Sequence, residues 1–106
     1  MIYVIATTEV KPEHREAYIK GAKECVAATQ KEQGCIYYDS HVSVNNPNLF
    51  VVVERWESRE ALDAHGRAPH MKVWRELSAP FKASPTRSGP AEVVRARWMC
   101  VCHCGR

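Results

Sequence analysis

Between the turn Asn45-Asn46-Pro47-Asn48 and Glu54 lie five consecutive apolar residues, Leu49, Phe50, Val51, Val52 and Val53. A strand with one wet face alternates apolar and polar side chains, so this unbroken run reads as a strand covered on both faces. Residues 35–44 precede the turn, with Ile36, Tyr38, Ser40, Val42 and Val44 on one side and Cys35, Tyr37, Asp39, His41 and Ser43 on the other. The two runs form a hairpin. The chain has 106 residues, enough for one domain with a single core. It is too short to cover both faces of such a hairpin itself.

The remaining elements fix how that cover is arranged. Residues 2–9, with Tyr3, Val4, Ile5, Thr7 and Thr8, read as a first strand. Pro12 and Glu13 then open a long helix, along which Tyr18, Ala22, Cys25, Val26 and Thr29 recur at helical spacing until Gly34. Ser58 is placed to N-cap a short helix carrying Leu62 and His65 and ending near Gly66. Pro69 opens another, with His70, Trp74 and Leu77, which Pro80 stops. Residues 82–90 read as a loop and 91–96 as a last strand. Strand, helix, strand, strand, helix, strand is the order of the α+β, ferredoxin-like split βαβ fold, an antiparallel sheet with helices on one face. The other face is expected to pack on the same face of a second copy, giving a homodimer. Residues 1–94 are read as this domain and 95–106 as a tail.

Charge and cysteine content exclude several functions. Fifteen Lys and Arg stand against twelve Asp and Glu, and three of the basic residues, Arg95, Arg97 and Arg106, lie in the acid-free tail. The balanced body lacks the one-sided field that nucleic-acid binding uses. The longest N-terminal apolar run, residues 2–6, is too short for a signal-peptide core or a bilayer span, so the chain is expected to begin at Met1 and not to enter a membrane. Five cysteines, two of them inside regular elements, do not make a disulfide framework and point to a reducing, cytoplasmic setting.

No metal-ligand, phosphate-loop, dinucleotide-binding or serine-nucleophile motif occurs in the body. Cys100, Cys102, His103 and Cys104 offer soft ligands in the tail, but alternate residues of an extended chain lie ~6.5 Å apart, too far to share one ion without a turn. The expectation is therefore no metal and no cofactor. What remains is a set of aromatic and titratable residues that the fold could gather between sheet and helices.

Several of these carry a resemblance. Glu54-Arg55-Trp56-Glu57-Ser58, then Ala64-His65 and Pro69-His70-Met71, preceded by Gly34-Cys35 and Tyr38, resembles the antibiotic biosynthesis monooxygenase family, most closely its quinol monooxygenase branch. The resemblance implies a dimeric ferredoxin-like α/β barrel. It also implies oxidation of a quinol or polyphenol by O₂ without flavin, haem or metal. An ionised hydroquinone is electron-rich enough to reduce O₂ directly, so the protein need only deprotonate, orient and desolvate it.

For that task His65 is read as the base, or hydrogen-bond partner, of the substrate hydroxyl, since histidine is the side chain that changes charge nearest neutrality. A packed helix-end histidine is the competing role. Tyr38 is the tyrosine matched by the family pattern and would hydrogen-bond a quinone oxygen, Trp74 would stack on the ring, and His70 and Glu54 complete the pocket. Glu54, if buried, is expected to find a partner near Arg55 or at a helix N-terminus and to anchor the following helix. Haem-degrading relatives place an Asn on the first strand and an axial His where this chain has Arg75, and residues 1–10 contain no Asn, so haem is not expected. Two other readings fit the same fold: an isomerase or degradation enzyme for a small signalling metabolite, and a non-catalytic dimeric barrel that binds a small ligand.

Overall fold

A computed structural model describes residues 1–84 together with the backbone of Arg87 and Ser88. Strand β1 (Ile2–Glu9) leads through a short 3-10 turn (Pro12–His14) into α1 (Arg15–Gln30). The hairpin β2 (Cys35–Val42) and β3 (Leu49–Trp56) follows, then α2 (Arg59–Gly66), α3 (Pro69–Ser78), a second 3-10 turn (Ala79–Phe81) and a short β4 (Arg87–Ser88). The strands make one antiparallel sheet in the order β2-β3-β1-β4. This is the ferredoxin-like topology expected from the order of elements.

Register explains why β3 does not alternate. Even-numbered β3 residues face the helices: Phe50, Glu54 and Trp56 are buried there, and Val52 packs against the same core. Odd-numbered Leu49, Val51 and Val53 lie on the opposite face, where Val53 is level with Ile5 of β1, itself 46% exposed. One apolar face is thus covered by α1 and α3, while among the described residues no helix covers the other.

The helix-facing core has two centres, Val4, Cys25, Tyr38 and Trp56 in one and Val10, Tyr18 and Phe50 in the other. Tyr18, Gly21, Cys25 and Thr29 form the buried stripe of α1, the period expected of a helix lying on a sheet. Gly21 lets α3 approach, because a Cβ there would overlap the Trp74 ring. The Ser58 hydroxyl caps α2 by accepting a bond from the Ala61 N–H at 3.2 Å.

Two sequence expectations are corrected. The bulge between Cys35 and Tyr37 pairs Cys35 with Trp56 and brings it against the helix-side core, while Ile36 becomes exposed, so the simple alternation fails at the start of β2. A strand pairing with β1 also occurs at Arg87–Ser88, inside the stretch read as a loop. There the open edge of β1 decides the pairing rather than local propensity. The strand expected at residues 91–96 lies outside the described residues, as does the tail.

Gly34 has φ +86°, and an added Cβ would stand 2.5 Å from the Ala61 Cβ. Replacing it therefore combines left-handed backbone strain with overpacking between the β2 entry and α2. Gly34→Ala is expected to lower stability by roughly 2–4 kcal/mol in urea melts. Adding Ala61→Gly should recover the steric part alone and leave the conformational part.

Candidate active site

The centre of the sheet carries a row of three helix-facing residues, Val4, Glu54 and Tyr38, set side by side by the β1–β3–β2 register. A carboxylate there has little access to water, and Glu54 is 7% exposed. Its partner is supplied by strand geometry, because the next residue on the same face is Trp56, whose indole Nε1–H donates to Glu54 Oε1 at 2.9 Å. Glu54 thus pairs within its own strand and not near Arg55 or at a helix N-terminus, which corrects the sequence expectation. Burial pushes its carboxyl above the ordinary range, and the repulsion of Glu32 adds to this. The Trp56 bond and the neighbouring His65 pull the other way.

Tyr38 stands beside Glu54 with its hydroxyl bonded to the Cys25 sulfur, and burial raises its pKa far beyond the normal phenol range. It stays a neutral phenol. Cys25 is likewise held protonated by burial, with its S–H directed to the Met71 sulfur at 3.5 Å.

Above this row, between sheet and helices, is a cavity of about 250 Å³. Its apolar walls come from Ala6, Val52, Met71 and the rings of Tyr18 and Trp74. Its polar groups are Thr8, Tyr38, Glu54, Arg75 and Lys82. Partial burial lowers the pKa of Lys82. An apolar slot with a few convergent polar groups is the usual form of a small-molecule site, and this volume suits a small ring system.

Of the sequence candidates, Tyr38, Glu54 and Trp74 meet at the cavity. His65 does not line it. It is buried in the last turn of α2 behind Tyr38 and Trp56, with ring centroids 5.3 and 4.8 Å away, and its Nδ1–H donates to Glu32 Oε2 at 2.9 Å. His70, in the first turn of α3, borders a separate groove between α1 and α3, with Nε2 3.1 Å from both Glu32 Oε2 and Thr29 Oγ1.

Sequence reasoning missed Thr8, Arg75 and Lys82 on the cavity wall. Arg75 was within reach, since Met71, Trp74 and Arg75 share one face of α3 by their i, i+3, i+4 spacing. Lys82 follows the end of the last helix, where no periodicity marks it. Glu32 was missed because it sits in the turn after α1 and meets His65 only across 33 positions of sequence.

A ferredoxin-like sheet with a cavity between strands and helices, lined by a buried carboxyl and aromatic rings, defines a small α+β domain with the form of a small-molecule site. The profile of the Antibiotic biosynthesis monooxygenase family matches residues 1–77, and the chain belongs to that family. YcnE of Bacillus subtilis (strain 168) is 32% identical over 95 residues, spanning 90% of this chain and 95% of YcnE. The Escherichia coli (strain K12) protein named "Probable quinol monooxygenase YgiN" is 35% identical over 86 residues, 72% of this chain and 83% of its own. Among solved structures, Rv0793 from Mycobacterium tuberculosis superposes with a TM-score of 0.81 at 29% identity, covering 90% of this chain and 97% of Rv0793.

Proposed function

We propose that this chain is a monooxygenase of a quinol or related polyphenol that uses O₂, with the substrate ring in the cavity beneath Trp74. The observation that carries this reading is Glu54, a buried carboxyl with a raised pKa on the wall of a cavity otherwise lined by rings and aliphatic groups. A phenolic hydroxyl placed against Glu54 gives up its proton there, and the cations of Arg75 and Lys82 stabilise the phenolate left behind. The phenolate reduces O₂ with its own electrons, one oxygen atom entering the ring and the other leaving as water. Tyr38, a neutral phenol whose proton is engaged by the Cys25 sulfur, offers its oxygen as acceptor to a substrate hydroxyl, and Tyr18 and Trp74 keep the ring in plane.

His65 acts through Glu54 rather than on the substrate. It is near enough for its charge to be felt by the carboxyl, which favours the ionised form of Glu54. His70 helps to place Glu32, which in turn holds the His65 ring. The apolar face built from the exposed Ile5 and the half-buried Val51 and Val53 supports pairing with a second copy, which would close the sheet's open side.

Oxygen uptake with a reduced naphthoquinone tests this reading. Uptake well above the non-enzymatic rate is expected, and His65→Gln should reduce it at least tenfold with a smaller change in KM. Uptake no faster than the buffer control would sink the oxygenase reading, and an unaltered rate in His65→Gln would sink the role given to that residue.

A further inference from the structure

Away from the cavity, Glu32, His65 and His70 converge from three elements: the turn after α1, the last turn of α2 and the first turn of α3. Glu32 Oε2 lies 2.9 Å from His65 Nδ1 and 3.1 Å from His70 Nε2, and the three atoms are all within 4.8 Å of one another. The side chains are 6% (His65), 18% (Glu32) and 30% (His70) exposed.

We propose that this trio binds a divalent transition-metal ion of the zinc type. Ligand atoms bound ~2.0–2.2 Å from one ion stand roughly 3–3.5 Å apart, so both Glu–His separations already suit a shared ion and only the imidazole pair must close. Two imidazole nitrogens and one carboxylate oxygen favour zinc and its first-row neighbours, whereas calcium and magnesium take oxygen shells. Three protein ligands leave positions for water, which the partial exposure of Glu32 and His70 admits.

The ligands are also held in advance. The Tyr38 and Trp56 rings fix the His65 imidazole, while Thr29 Oγ1, 3.1 Å from the same His70 Nε2, gives up that contact when the ion binds. Without an ion, the Glu32 carboxylate takes its place by accepting from both imidazoles. With an ion, the C-terminal ends of α1 and α2 and the start of α3 are tied together at one point.

None of the three residues lines the cavity, but His65 also bears on Glu54 in the proposed reaction, so the test reads metal binding and not oxygenase rate. The tail thiols Cys100, Cys102 and Cys104 are themselves zinc ligands by type, so the test uses the full chain with those three changed to Ser. Zinc titrated in competition with a chromogenic chelator should bind at one ion per chain with a dissociation constant in the micromolar range or below, and should raise the melting temperature. Cobalt(II) should give d–d bands without thiolate charge transfer. Glu32→Gln and His70→Asn, both at partly exposed positions, should each weaken binding at least tenfold while His41→Asn leaves it unchanged. Absence of binding, or full affinity in the Glu32→Gln/His70→Asn double variant with its fold verified by circular dichroism, overturns the proposal.

Discussion

Glu54→Gln is expected to lower the oxygenase rate by roughly 10²–10⁴-fold, the usual worth of a positioned acid–base group, while making the folded chain more stable at neutral pH. The two effects have one cause. Burial raises the pKa of Glu54 in the folded chain above its ordinary value near 4.5, so between those two values the folded state holds a proton that the unfolded state has released. Stability must then fall as pH rises through that window and stay lower above it, the reverse of a salt-bridged carboxylate. Glutamine keeps an oxygen to accept the Trp56 indole N–H and carries no charge. Urea melts should therefore show the two chains alike near pH 4 and the variant ahead near pH 8. A variant less stable at pH 8 than at pH 4, relative to wild type, would refute the buried-carboxyl account. Gain of stability with loss of rate is the signature of a residue kept for chemistry.

Much of this arrangement is visible in the sequence, and the parts that are not have identifiable reasons. The apolar run before Glu54 marks a strand apolar on both faces, and its odd and even residues do lie on opposite faces of the sheet. The order of elements then leaves little choice of topology. The helix stripe of Tyr18, Cys25 and Thr29 follows from period alone, and so does the Ser58 cap. What fails is anything that depends on two distant segments meeting. The bulge at Cys35 depends on what β3 presents opposite it, and β4 begins where β1 has an unpaired edge. In the site, strand parity allows only one of Tyr37 and Tyr38 to face inward and the family resemblance selects Tyr38, while helix spacing brings Trp74 to the same side. The partner of Glu54 is legible too, since residues i and i+2 of a strand share a face and place Trp56 beside it. Glu32 carried no signal, because only the closure of α1 against α2 and α3 brings it to two histidines.

Trp56 is the residue whose loss should cost most stability. Its side chain is fully buried and its ring packs on both Tyr38 and His65. Trp56→Ala removes that packing, about 3–5 kcal/mol, and leaves the buried Glu54 carboxyl without its donor, about 1–3 kcal/mol more. Against a total of about 5–15 kcal/mol for a domain, such a chain loses much of its stability and should melt at a far lower temperature by circular dichroism. Trp56→Phe separates the two losses. It keeps most of the ring packing and removes only the N–H, which now pulls the Glu54 pKa down. The pKa should therefore rise further, moving the acid limb of the rate profile to higher pH and lowering the carboxylate fraction available at neutrality. In Trp56→Phe/Glu54→Gln the limb should vanish, because no titrating carboxyl remains at that position. An acid limb unmoved in Trp56→Phe would mean that the indole positions the core without tuning the carboxyl, and that the proton is taken up elsewhere.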